Sequence, residues 1–166
     1  MKIAIIYVSK HGTTEKVAHS IADKLRGRND VELFSLKKIA NPDISSFEMI
    51  ILGSSIYAGQ ASGKIKSFCK MNEPVLLRKK TGLFVCGMHP DKEQQEKELK
   101  EAYPDLLMKK ADVTGFLGGE FLFEKMNFFE RLITSKIAKT KGSVSQINWD
   151  AIDDFVMKTN GIICRV

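Results

Sequence analysis

Residues 2–8 (Lys-Ile-Ala-Ile-Ile-Tyr-Val) are a nearly unbroken apolar run. A strand buried on both faces reads that way, because neither face has to meet water. The period then changes. Over 13–26, Val17, Ile21, Ala22 and Leu25 recur at helical spacing, Glu15, Lys16 and Lys24 fall elsewhere, and Gly27 stops the helix. Residues 31–36 alternate as a second strand, Asn41-Pro42-Asp43 breaks the chain, and 48–54 predict a third strand ending at Gly53. A helix over 62–72 is ended by Pro74, and 81–87 predict a fourth strand. The charged stretch 91–110 predicts a solvated helix with Leu99, Leu106 and Leu107 inward. Residues 112–122 predict a fifth, glycine-interrupted strand, with helices over 124–139 and 149–159.

Strands thus alternate with helices, the pattern of an α/β fold with a parallel sheet covered on both faces. No repeat, low-complexity tract or linker divides the chain, so one domain is expected over 1–166. Apolar residues at 43% and charged residues at 28% exclude a disordered or collagen-like chain. No apolar run reaches the length of a membrane-spanning helix. Met1-Lys2 leads straight into a short apolar run ending at Ser9-Lys10-His11-Gly12, unlike a signal peptide, so a cytoplasmic protein is expected. Cys69, Cys86 and Cys164 are odd in number and lack CxxC spacing, which predicts reduced thiols that are mostly core filler, with no disulfide framework and no metal site. Lys plus Arg number 26 against 20 Asp plus Glu, a net charge of +6 that favours anionic partners. The basic residues are spread out and carry no helix-turn-helix or RNA-binding signature, so no nucleic-acid partner is expected.

In an open parallel sheet, ligands bind beyond the carboxyl ends of the strands. The first such loop, Ser9-Lys10-His11-Gly12-Thr13-Thr14, joins hydroxyls and a turn-forming glycine to a helix N-terminus, a ready phosphate site. An ordinary N-cap is the plainer reading of the same residues, but a cap needs only one hydroxyl. The loop lacks the glycines of GxGxxG. Gly59 to Ile65 falls one residue short of a Walker A loop and follows the wrong strand. Neither the acidic residues of a receiver domain nor a phosphatase cysteine stands in the first loop. The second loop, Gly53-Ser54-Ser55-Ile56-Tyr57-Ala58-Gly59-Gln60, has small residues against which a flat ring can lie, and a tyrosine to stack on it; an ordinary turn reads the same way. The third, Cys86-Gly87-Met88-His89-Pro90, brings a glycine, a methionine and an imidazole to the same edge.

One phosphate loop with two loops fit for a flat ring resembles the flavodoxin-like family along the whole chain. Ser9-x-x-Gly12-x-Thr14 matches its phosphate motif, and Gly53-Ser54-Ser55 and Cys86-Gly87 match its two flavin-contacting loops. The resemblance implies a three-layer αβα sandwich with a five-stranded parallel sheet, and FMN as cofactor. The FMN phosphate would sit on Ser9, Lys10, His11, Gly12, Thr13 and Thr14. Its ring would lie between Ser54, Ser55, Ile56, Tyr57, Ala58 and Gly59 on one side and Gly87, Met88 and His89 on the other. Within the family, the chain is similar to the bacterial flavodoxin-type protoporphyrinogen oxidases. The similarity lies in Gly53-x-Ser55-Ile56-x-x-Gly59, in Phe128-Phe129-x-x-Leu132-Ile133-Thr134-x-x-Ile137-x-Lys139-x-x-Gly142, and in Trp149. It implies an inserted helical segment at 123–146 and oxidation of protoporphyrinogen IX with a quinone or other acceptor. The alternative within the family is an electron-transfer flavodoxin that serves a redox partner protein and has no small substrate.

Charge adds two expectations. No Asp or Glu lies in 53–63 or 81–90. A carboxylate about 4 Å from a reduced, anionic flavin would repel it by roughly 4 kcal/mol at an effective dielectric near 20, so its absence predicts an easily reduced flavin. The 124–139 helix gathers Met126, Phe128, Phe129, Leu132, Ile133 and Ile137 on one face, while 131–141 carry bases and no acid. Arg131, Lys136 and Lys139 are therefore candidates for binding an anionic porphyrinogen-like substrate or the inner, anionic face of a membrane; a plain packing helix fits the pattern as well. No side chain is assigned as a catalytic acid or base, although His89 and Tyr57 stand nearest.

Overall fold

Side chains of β1 (Lys2–Val8) alternate between two cores: Ile3, Ile5 and Tyr7 turn to one, Ala4, Ile6 and Val8 to the other. All six are buried, the condition that an apolar run without polar alternation meets. The computed structural model describes residues 1–121 and 143–164. In it β1 pairs in parallel with β2 (Asp30–Ser35) on one side and β3 (Met49–Tyr57) on the other. β3 also carries the short antiparallel β4 (Gln60–Ala61) and runs parallel to β5 (Lys80–Cys86), which pairs with β6 (Val113–Phe116). The five parallel strands stand in the order β2-β1-β3-β5-β6, so the chain reverses its direction of travel between β1 and β3. Clefts for ligands open at such a switch point.

Helices α1 (Thr13–Leu25) and α5 (Trp149–Ile163) cover one face of the sheet. On the other lie α2 (Gly63–Leu76), α3 (Lys92–Ala102) and α4 (Asp105–Lys110). This is the flavodoxin-like αβα sandwich with a five-stranded parallel sheet that the sequence resemblance implied.

Several boundaries differ from the sequence pattern. Pro74 does not end α2, which continues to Leu76 because that side chain is fully buried beyond it. The stretch 91–110 is two helices, not one. Tyr103 is extended, as a residue before proline tends to be, and its buried hydroxyl donates to Leu52 O (3.0 Å) and Phe84 O (2.6 Å), anchoring the break to the sheet. Leu107 is buried as expected and Leu99 half-buried, but Leu106 is 57% exposed. The third strand does not stop at Gly53: it runs on to Tyr57. A Cβ on Gly53 would lie 2.2 Å from Phe84 Cζ, so this glycine makes room for a ring on the neighbouring strand.

The predicted fifth strand splits. At Gly118 the chain turns through φ +72 and leaves the main sheet. There β7 (Gly118–Phe121) pairs antiparallel with β8 (Val144–Ile147), so residues 144–146 are strand where a helical insertion was predicted. The predicted 124–139 helix, with Arg131, Lys136 and Lys139, lies outside the described residues. The last helix runs on to Ile163.

Candidate functional site

Gly12 is the N-cap of α1, held at φ +106, where residues with a Cβ are strained. It has no side chain with which to cap, so the opening N–H groups of α1 meet no acceptor from the N-cap residue. Ser9 Oγ accepts the Gly12 N–H at 2.9 Å and closes the loop. Ser9, Thr13 and Thr14 are buried, while Lys10 is exposed. Thr14 Oγ1 is buried without a hydrogen-bond partner of ordinary geometry and lies beside the Cys86 thiol. Burial pushes that thiol up to about 12; the Thr14 hydroxyl acts the other way and the Glu120 charge adds a little. Cys86 is therefore neutral at physiological pH and no nucleophile.

A cavity of about 310 Å³ opens beside this loop. Ser9, Lys10, His11 and Gly12 line it from the loop, Ser35, Lys37 and Lys38 from the end of β2, and Tyr7 and Glu15 complete it. Three lysines against one carboxylate make it attractive to an anion. Glu15 is already engaged, accepting from Tyr7 Oη at 2.9 Å. Burial, with that bond second, raises the Tyr7 phenol to about 12. Lys37 Nζ donates to Lys10 O at 3.2 Å and ties the two sides of the cavity.

The second loop is a two-residue hairpin between β3 and β4. Ala58 (φ +49) and Gly59 (φ +76) form its turn, both in the left-handed region that such hairpins require. The structure brings this loop to the first: Lys10 Nζ stands 3.2 Å from the Tyr57 ring centroid, and the His11 and Tyr57 centroids are 6.1 Å apart. Ser54 is buried and its hydroxyl is used internally, accepting from Ser62 N and donating to Ser55 O, each at 3.2 Å. Ser55, Ile56 and Tyr57 are partly exposed, and Ala58 and Gly59 are exposed.

The third loop is braced from inside. A Cβ on Gly87 would meet Phe116 Cζ at 2.8 Å, so the space this glycine leaves is taken by the core. Gly87 N–H donates to Gly118 O at 3.1 Å, which lays the β7–β8 hairpin against the loop. The hairpin is also tied to α1: Glu120 pairs with Lys16 at 3.0 Å and accepts from Ser145 Oγ at 2.8 Å. Met88 is partly exposed and His89 exposed. His89 Nδ1 accepts from Asp91 N at 3.2 Å, and its carbonyl accepts from Gln95 Nε2 at 2.6 Å.

One residue that the sequence pattern missed comes to this edge. Glu98, on α3, is buried, and a Cβ on Gly59 would lie 4.0 Å from its Oε1. The second and third loops are free of acid in sequence, yet the fold inserts a carboxyl next to them from a helix read as solvated apart from its leucines. The only signal was its place four residues before Ala102, on the same helix face.

A family model described as a flavodoxin domain matches residues 4–147. Among curated proteins, an uncharacterized protein of Methanocaldococcus jannaschii is 35% identical over 69 residues, 41% of this chain and 43% of that protein. The match thus spans under half the length of that relative. Among solved structures, a flavodoxin from Streptococcus pneumonia TIGR4 superposes with a TM-score of 0.60 at 16% identity, over 100% of both chains. Two-electron reduced Megasphaera elsdenii flavodoxin gives 0.54 at 22% identity, over 70% of this chain and 82% of that one. Oxidised flavodoxin 1 from Bacillus cereus gives 0.52 at 20% identity, over 71% and 82%. At these identities the likeness is one of fold.

Proposed function

The chain belongs to the flavodoxin domain family, and on that premise we propose that it is an FMN-dependent redox protein. The observation that carries the proposal is the β1–α1 loop. A left-handed glycine caps α1 without a side chain, and buried hydroxyls and a lysine-rich cavity surround it at the switch point of the sheet. Such a donor set suits a phosphate monoester dianion. Ser9, Thr13, Thr14 and the opening N–H groups of α1 would hold the phosphate, with Lys10 and His11 at its side. Ser54, Ser55, Ile56, Tyr57, Ala58 and Gly59 would flank the ring on one side, Gly87, Met88 and His89 on the other. Bound FMN supplies reversible one- and two-electron chemistry at its ring, and the protein supplies position, exclusion of water and field. Titration of apoprotein with FMN, followed by quenching of flavin fluorescence, tests this. One FMN per chain is expected, with riboflavin binding at least tenfold more weakly for want of the phosphate. Equal affinity for the two, or none for FMN, overturns the proposal.

The reading extends to a substrate. Oxidation of protoporphyrinogen IX, with a quinone taking the electrons, is supported by the residue pattern in 53–59 and 128–149 and by a net charge of +6, which favours an anionic substrate. Arg131, Lys136 and Lys139 would contact those carboxylates or an anionic membrane face. Their joint replacement by Ala should raise KM or weaken vesicle binding; no change in either removes them from the proposal. The second reading, an electron carrier docking on a larger redox protein, is favoured by the exposure of Ala58, Gly59 and His89 at the rim of the site. Turnover of protoporphyrinogen with a quinone supports the enzyme; flavin reduction by a reductase with no small substrate consumed supports the carrier. No helix among the described residues is long and apolar enough to cross a membrane.

A further inference from the structure

Glu98 is a buried titratable group that nothing in the packing explains. It is 4% exposed, whereas Glu93, Glu96 and Glu101 of the same helix face solvent. Its Oε2 is buried with no hydrogen-bond partner. Carrying a carboxyl out of water is costly unless partners compensate, so a purely structural role would predict partners. Its neighbours point elsewhere. The β3–β4 turn covers it, Gly59 most closely, and α3 packs against β4. His89, from the β5–α3 loop, stands close enough to act on it through charge, and its Nδ1 accepts from the Asp91 N–H. On α3 itself, Gln94 offers its side chain and Glu101 repels. The turn residues Tyr57-Ala58-Gly59-Gln60 bring no formal charge. Glu98 therefore lies between the second and third loops, the two assigned to the ring.

We propose that Glu98 is a redox-linked proton site, taking a proton from solvent when a flavin held between residues 54–60 and 87–90 gains negative charge and releasing it when that charge leaves. This rests on the FMN reading. When an electrode, through mediator dyes, delivers two electrons and solvent one proton to bound FMN, the pocket gains one negative charge. Glu98 takes a second proton from solvent and cancels it. On reoxidation a quinone receives the two electrons and both protons and becomes the quinol. Burial already holds the Glu98 carboxyl above its ordinary value, and a nearby negative charge acts in the same direction.

The test is the pH dependence of the two-electron midpoint potential of the FMN-loaded protein near neutrality. The native protein should take up about two protons per two electrons and Glu98→Gln about one, halving the slope. His89→Asn, which leaves the Glu98 carboxyl in place, should retain both protons. A second readout needs no variant: the carbon-13 carboxyl signal of Glu98 should titrate above those of the surface glutamates, and higher again after reduction. Equal slopes in native protein and Glu98→Gln, or a carboxyl signal indifferent to reduction, overturn the proposal and leave the FMN reading intact. Failure of native apoprotein to take up FMN sinks the FMN reading, and this proposal with it. Should Glu98→Gln misfold, the carboxyl signal alone decides.

Discussion

Two residues, one in the β3–β4 turn and one on α3 beside it, carry cost without an evident packing return. Ala58 is exposed at φ +49, a region that costs an alanine about 1 kcal/mol and an asparagine less. Ala58→Asn should therefore stabilise the fold by about 0.5–1 kcal/mol in urea denaturation, and an unchanged midpoint would mean that the turn is not held in that conformation. Glu98 has the larger effect, and its sign depends on pH. Its folded carboxyl titrates above the unfolded one, chiefly through burial. Between those two values the folded chain binds more protons, so stability falls as pH rises through that window. Glu98→Gln removes the loss. It should be more stable than the native protein at pH 8, by about 1–3 kcal/mol for a buried carboxyl with one oxygen unbonded, with the gap closing as the pH falls. A gap independent of pH would argue against an ionising Glu98. The sequence hid this residue because polar neighbours surround it on α3; only the path of the β3–β4 hairpin over that helix turns its face inward.

Among elements, those whose periodicity is strong were legible and those bounded by tertiary contact were not. β1 and α1 could be read almost to the residue, since apolar runs and helical stripes are local signals. α2 passes Pro74 and α3 breaks before Pro104, and the difference between the prolines lies in what flanks them. Leu76 is buried beyond the first, whereas before the second the Tyr103 hydroxyl is bonded into the sheet. Gly118 decides where β6 ends. Its φ of +72 and the 2.1 Å that a Cβ would leave to Gln146 O permit no side chain. Gly118→Ala should destabilise by about 2 kcal/mol or more, and first at the hairpin. Hydrogen exchange should thus show early loss of protection in 118–121 and 144–147, with β1 and β3 spared. Uniform loss across the sheet would mean that the hairpin is not a separable unit.

At the scale of the molecule, five strands arriving in one sheet bring three loops of unrelated sequence to a single edge, with a basic cavity at the first. A ligand held there binds only the folded chain. FMN at a hundredfold excess over its Kd should stabilise by about 2.7 kcal/mol, which for a domain of this size is roughly 5–10 °C in Tm. Added salt should shrink the shift if the lysines of the cavity hold the phosphate by charge. Riboflavin at equal concentration should give little; an equal shift would place the affinity in the ring and not in the phosphate loop.

From the sequence alone came the α/β alternation, the glycine and hydroxyls of the loop at the end of β1 and the family resemblance, because periodicity, turn chemistry and short motifs are properties of neighbouring residues. The tertiary structure alone decided that Gly53 and Gly87 make room for the rings of Phe84 and Phe116, that Lys10 lies over Tyr57, and that Glu98 stands between the ring-side loops. Each of these joins residues that chain order keeps apart, and burial and charge act through space.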